Sequence, residues 1–327
     1  MARLVDLFVH SSMIVLWSSC SITLDGDLGK EELCLSDSEN KYSHVFDNKI
    51  PLYEDTTSFL AIQSVSYWME QINGEKSSQG ADCYGNMLCQ FRVDHTSLDI
   101  MDLKQKRHVA TIPLFSLGSA FHCNNADFSS SFYDDSDEFP LLYSSHQGND
   151  ARCILVDRIY KVGKEYKFKT LQRIDIPYGL DEPLQFTPDA IIDNENQYLY
   201  VYTGNTKPIT SFYIYRFRLP RFAEGSITLT EKDFEAAWII TDNPPKYKQG
   251  GMVKDGIIYL VEGVPGWETD NIIRAIDLHT GSYSIINLTK SFNAKWEPED
   301  IFWYDGNFYI AANRSGIYRL DEKDISD

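Results

Sequence analysis

The sequence predicts an all-β fold, a five-bladed β-propeller over residues 42–327, and three observations carry that prediction. One pattern recurs along the chain: a strand, a glycine-containing turn, a second strand, a third ending in Asp or Asp-Leu, and usually a fourth. Twenty Tyr and eighteen Phe suit half-covered pleated surfaces, on which flat rings pack well. With 327 residues, 43% of them hydrophobic, the chain can bury one large closed core as a single unit.

The elements follow in chain order. Residues 1–20 read as an export signal, in which the short apolar run Met13–Trp17 is followed by Ser18-Ser19-Cys20. The run is too short to span a bilayer. Small residues before Cys20 resemble a bacterial lipobox, so Cys20 is the expected lipidation site, although Trp17 and Asp6 depart from that pattern. Residues 21–41 are rich in Asp, Glu, Ser and Gly and read as a solvated spacer. Ser43–Leu52 ends in Ile-Pro-Leu like the outer strand His108–Leu114, and is expected to complete the last blade and close the ring. Ser58–Ile72 is either an inserted helix on the rim or a sheet of its own, which would make six blades.

The first blade opens at Gln79-Gly80 and runs through Leu98–Leu103 to Leu114. The second opens at His122-Cys123-Asn124 and ends near Ile176, and the third runs from Thr187 to about Ile240. The fourth opens at Gln249-Gly250-Gly251 and closes at Leu288; the fifth runs from Asp300 through Asp321. Gly85, Gly256 and Gly306 supply the positive φ of two-residue hairpins, with Asn86 and Asn307 expected to share that region.

A formal charge of −18 repels polyphosphate and excludes nucleic acid as an expected partner. Solubility of an exported domain explains that charge without a ligand. Once Cys20 is set aside, five cysteines remain, an odd number that rules out a complete disulfide framework. Cys83 and Cys89 flank a turn and either face each other or are two small buried strand residues. GxSxG, HExxH, GxGxxG and P-loop patterns are absent from the sequence.

In a propeller the first strand of each blade lines the channel, so aligning the units places Gln79, Asn124, Asp189, Gly250 and Asp300 in one layer at one mouth. His122, Gln249, Glu297 and Glu299 flank it. Water alone accounts for a polar channel lining. As a site, convergent carboxylates and amides suit a polar ligand, with Ca²⁺ a candidate and no other cofactor expected. Trp296 beside Glu297 and Glu299 suits a glycan or peptide, because an aromatic face stacks while carboxylates accept hydrogen bonds. Two carboxylates two residues apart also offer an acid and a base. His122 with Cys123 is a poor nucleophile pair, since neighbours on a strand point to opposite faces.

Gln79-Gly80, Gln249-Gly250-Gly251, Trp296–Glu299 and the stretch His122–Tyr143 resemble exported lipoprotein propellers of Gram-negative gut bacteria. That resemblance implies the fold and a periplasmic or cell-surface location, with no activity attached. The blade openings are also similar to those of glutamine cyclotransferases, five-bladed propellers that cyclise N-terminal Gln, and this would make Glu297 or Glu299 a proton shuttle. The expectation is a monomeric, lipid-anchored module that binds a glycan, a peptide or an envelope protein, with an envelope enzyme at the same mouth as the alternative.

Overall fold

Period-two alternation broken by tight turns gives strands throughout. The computed structural model describes residues 48–57, 62–70, 78–92, 97–114, 122–147, 153–176, 188–204, 209–264, 270–289, 297–313 and 315–322, all within the unit Ser38–Asp327. Cys20, the spacer 21–41 and Trp296 lie outside them, as does the side chain of His122.

Three short segments precede the blades: β1 (Lys49–Pro51), β2 (Tyr53–Glu54) and β3 (Ile62–Glu70). The first blade is β4 (Ser78–Tyr84), β5 (Met87–Arg92), β6 (Ser97–Asp102) and β7 (Arg107–Pro113). The second is β8 (His122–Phe128), β9 (Leu142–Gln147), β10 (Cys153–Val162) and β11 (Glu165–Asp175). The third is β12 (Asp189–Asp193), β13 (Tyr198–Gly204), β14 (Phe212–Arg218) and, after the excursion β15 (Gly225–Thr228), β16 (Phe234–Ile240). The fourth is β17 (Lys248–Lys254), β18 (Ile257–Glu262), β19 (Ile272–Asp277) and β20 (Ser282–Asn287). The fifth is β21 (Pro298–Tyr304), β22 (Asn307–Ala312) and β23 (Gly316–Glu322). These are five sheets, with no helix among the described residues, so the five-bladed propeller stands.

The apolar core is divided into five layers, one at each blade interface. Ile112 and Cys123 share the layer between the first and second blades, and Ile174 and Ile192 that between the second and third. Ile191 and Leu260 join the third to the fourth, and Val261 and Ile301 the fourth to the fifth. Leu88 and Phe302 close the circle between the fifth and the first.

An N-terminal strand does complete the fifth blade, but it is β3 rather than Ser43–Leu52. β3 lies antiparallel along β23, from Ile62 opposite Glu322 to Glu70 opposite Gly316. Register shifts leave Gln63 and Trp68 unpaired, which breaks period two and mimics the helical spacing of the sequence. The described part of Ser43–Leu52 instead serves the third blade, where β1 runs parallel to β16. Leu52, 3% exposed, is then plugged between the third and fourth blades beside Trp238 and Tyr283. β2 runs parallel to β20, and β15 parallel to β11.

The hairpin turns differ in detail from expectation. Positive φ falls on Asp255-Gly256 (52° and 78°) and Asp305-Gly306 (46° and 80°), the two central positions of a turn whose twist matches its strands. Neither Asn86 nor Asn307 takes it; Asn86 Oδ1 instead accepts the Tyr304 hydroxyl at 3.2 Å.

Candidate functional site

The five inner strands all start at the same mouth, and four of them carry a β-bulge there. Gln79-Gly80, Asn124-Asn125 and Gln249-Gly250 are each two residues set against one on the neighbouring strand. Glu299 is an extra residue between Pro298 and Asp300. A bulge re-aims side chains and ends regular pairing, and it falls on the residues that the repeat alignment singled out.

The second bulge position explains the Gln-Gly openings. A Cβ on Gly80 would lie 2.8 Å from the Asn125 carbonyl carbon, and one on Gly250 would overlap the Asp300 carboxylate. The two glycines therefore vacate space, which the Asn125 main chain and the Asp300 carboxylate fill. Asn125 Nδ2 donates to Ala190 O, while its Oδ1 accepts from Gly251 N at 2.8 Å, so one side chain ties three blades together.

Carboxylates clip the remaining blades. Asp300 accepts from Ala81 N at 2.8 Å, Asp82 from Phe128 N at 2.7 Å, and Asp127 from Ile192 N at 3.0 Å. Loss of hydration raises all three pKa values, Asp82 to about 7, and the neighbouring carboxylates push Asp127 and Asp300 further. Asp157, fully buried under Ser144 and Thr170, is likewise raised to about 7 by burial. A folded-state pKa above the unfolded value of 3.8 gives stability that is complete below that value and lost as pH rises through about 7. The Tm is therefore expected to be roughly 5 °C or more lower at pH 8 than at pH 5. Calorimetric scans at the two pH values check this, and a higher Tm at pH 8 would contradict it.

Above these clips lies the predicted layer. Asp189, fully buried, pairs with Lys248, and Asn124 Nδ2 approaches the same carboxylate at 3.4 Å. Lys248 also lies 5.4 Å from the centre of the Tyr202 ring, whose hydroxyl donates to Gln249 O at 2.9 Å. Gln249 Nε2 donates to Glu297 Oε1 at 2.6 Å, and Asn313 Nδ2 to Glu297 Oε2 at 3.2 Å. Glu299 is 1% exposed. Its pKa is held well above the carboxylate range by burial first and the Glu297 charge second, against a hydrogen bond from Asn313. Three acceptors are left over: Gln79 Oε1, Asn124 Oδ1 and Glu299 Oε1 are buried without a hydrogen-bond partner among the described residues.

The structure thus brings Asn124 and Asp189 together, and Gln249 and Glu297. It sets Gln79 and Glu299 on bulges of the same layer. Of His122 it gives only the strand position, opposite Gln147. Cys123 beside it is buried, donates to Asn125 O at 3.2 Å, and has its thiol pKa raised by burial, which suits packing rather than attack. Cys83 and Cys89 are free thiols, also raised by burial. Among the described residues no three His, Cys, Asp or Glu side chains converge as a metal site. Sequence reasoning missed Lys248, Asn125, Asp82 and Asp127. Ala81-Asp82 and Ala126-Asp127, at equivalent positions of two blades, were the visible sign of the carboxylate clips.

No family model matches the chain, and no curated protein matches it. Among solved structures, the glutaminyl cyclase of Myxococcus xanthus is similar over 85% of this chain and 100% of its own, at 12% identity and a TM-score of 0.47. A glucose dehydrogenase is similar over 80% of this chain and 100% of its own, at 12% identity and a TM-score of 0.47. A nidogen/laminin complex is similar over 72% of both chains, at 12% identity and a TM-score of 0.40. These similarities assign no activity to this chain.

Proposed function

We propose that the propeller is a binding module whose axial mouth takes the positively charged group of a small ligand, an amine of a peptide or amino sugar. The observation that carries the reading is the trio Gln79 Oε1, Asn124 Oδ1 and Glu299 Oε1, three buried acceptors on bulges of three blades, without hydrogen-bond partners among the described residues. An unmet buried acceptor costs about 1–3 kcal/mol, which a donor entering the channel relieves. The cation already present cannot serve, because Lys248 is engaged by Asp189. A positive charge suits the trio best, since it would also favour ionised Glu299.

That last point gives the test. A cation that ionises Glu299 displaces a proton, so its affinity should rise with pH, and calorimetry in buffers of different ionisation heat should register proton release. Amine-bearing peptides, glucosamine, glucose and Ca²⁺ are the probes, with Glu299→Gln as the control. Loss of the proton signal and a roughly tenfold weaker affinity in that variant are expected. Binding of glucose as tightly as glucosamine, or no binding of any probe, would overturn the reading.

An enzyme at the same mouth is the second reading. It rests on the Glu297–Glu299 pair, one carboxylate held by two amides and the other with its pKa raised by burial, an arrangement suited to proton transfer. Turnover of a bound probe that disappears in Glu299→Gln would favour it over simple binding. We also propose that Cys20 carries a lipid that tethers the module to the cell envelope. If Cys20→Ala stays in the membrane fraction, that proposal fails.

A further inference from the structure

A cavity lies off the axis, on the mouth side of the fourth blade, against the segment that joins it to the third. Its volume is about 240 Å³, and it is bounded by the segment Asn243–Tyr247 and by the mouth ends of β18, β19 and β20. At its floor Arg274, 1% exposed, donates from Nε to Glu262 Oε1 at 2.6 Å and from Nη2 to Glu262 Oε2 at 3.3 Å.

The first blade carries a comparable ion pair. There Arg92 ends the second strand and Asp99 sits third on the next, while in the fourth blade Glu262 ends the second strand and Arg274 sits third on the next. The same diagonal ion pair is built with its signs exchanged. In the first blade the outer strand finishes the job, because Thr111, opposite Asp99, donates to it at 2.5 Å. In the fourth blade the residue opposite Arg274 is Ile285, which has no polar group to offer; the guanidinium lies 4.8 Å from the centre of the Tyr283 ring, and its Nη1 has no hydrogen-bond partner among the described residues. The cavity lies beside that gap.

We propose that this cavity is a ligand site distinct from the axial mouth, for a small molecule bearing one carboxylate on an apolar body. Lys246, an exposed cation without an ion pair among the described residues, stands at its edge, and with Arg274 it supplies the donors. The acids nearby are already occupied: Glu262 by Arg274, and Asp270 by Asn287 at 2.8 Å and Thr289 at 3.1 Å. The two cations balance the charges of Glu262 and Asp270, so the donors left over accommodate a single negative charge more readily than a dianion such as phosphate. Pro244, Ile272 and Ile285 give the apolar body its walls.

Titration calorimetry with benzoate, butyrate and inorganic phosphate on the whole protein tests the assignment. Saturable binding of at least one carboxylate is expected, weakened about tenfold or more in Lys246→Glu and unchanged in Glu299→Gln, a residue of the axial mouth. Ile285→Thr, which gives Arg274 the internal partner that Thr111 provides in the first blade, should weaken it as well. The proposal is overturned if neither carboxylate binds, if Lys246→Glu binds as the parent does, or if phosphate binds more tightly than both. Failure here leaves the reading of the axial mouth untouched, because the two sites share no residue.

Discussion

A chain that begins at residue 71, and so lacks β3, is expected to be insoluble or to lose its cooperative melt, whereas one that begins at residue 58 should fold. The difference follows from what each deletion exposes. Without β3 the fifth blade has three strands, and the full edge of β23 offers unpaired backbone groups for aggregation. Met69, 5% exposed, also leaves the layer that joins the fifth blade to the first. A start at residue 58 removes only β1 and β2. Its cost is the burial of Leu52, roughly 2 kcal/mol, the short pairings of β1 with β16 and β2 with β20, and the backbone bonds from Leu52 N to Ile239 O, Tyr53 N to Gly281 O and Asp55 N to Tyr283 O. Size-exclusion chromatography and circular dichroism melts compare the two. A soluble, cooperatively melting 71–327 fragment would show that β3 is not the closing strand.

Asn125→Ala should be among the most damaging single substitutions, lowering stability by about 2–5 kcal/mol and Tm by roughly 5–15 °C. It strands Gly251 N and Ala190 O at once, where the second, third and fourth blades meet. Its neighbour makes the contrast. Among the described residues Asn124 has one long bond to Asp189 and an oxygen without a hydrogen-bond partner, so Asn124→Ala should change stability by only about 1 kcal/mol or less. Chemical denaturation of both variants checks the pair. If Asn124→Ala proved the more harmful, the assignment of one residue to the frame and its neighbour to the ligand would be reversed.

The blades were legible in the sequence because their grammar is local: alternation, a turn and an Asp at the end of a strand. The closing strand was not, since two register shifts at Gln63 and Trp68 hide its period. Ser43–Leu52 was misleading for the opposite reason. It has a regular strand pattern, but a pattern does not say which edge a strand joins, and its described part joins the third blade in parallel. The mouth layer was partly legible. Alignment by strand starts puts Gln79, Asn124, Gln249 and Glu299 near one level, but a bulge is a property of paired strands and leaves no mark on one alone. Arg274 was out of reach, since its spare nitrogen depends on what stands opposite it on β20.

The strands β1, β2 and β3 attach in turn to the third, fourth and fifth blades. Each precedes in sequence the blade it joins. Ser64 on β3 donates to Asp321 at 2.8 Å across a separation of 257 residues, so this pairing waits until the fifth blade has emerged. Contacts this distant in sequence carry a large loop-closure cost and slow the search for the native state. Until then β23 has a bare edge and β3 has nothing to pair with, and it is in this interval that the unfinished ring is most exposed to the wrong partner.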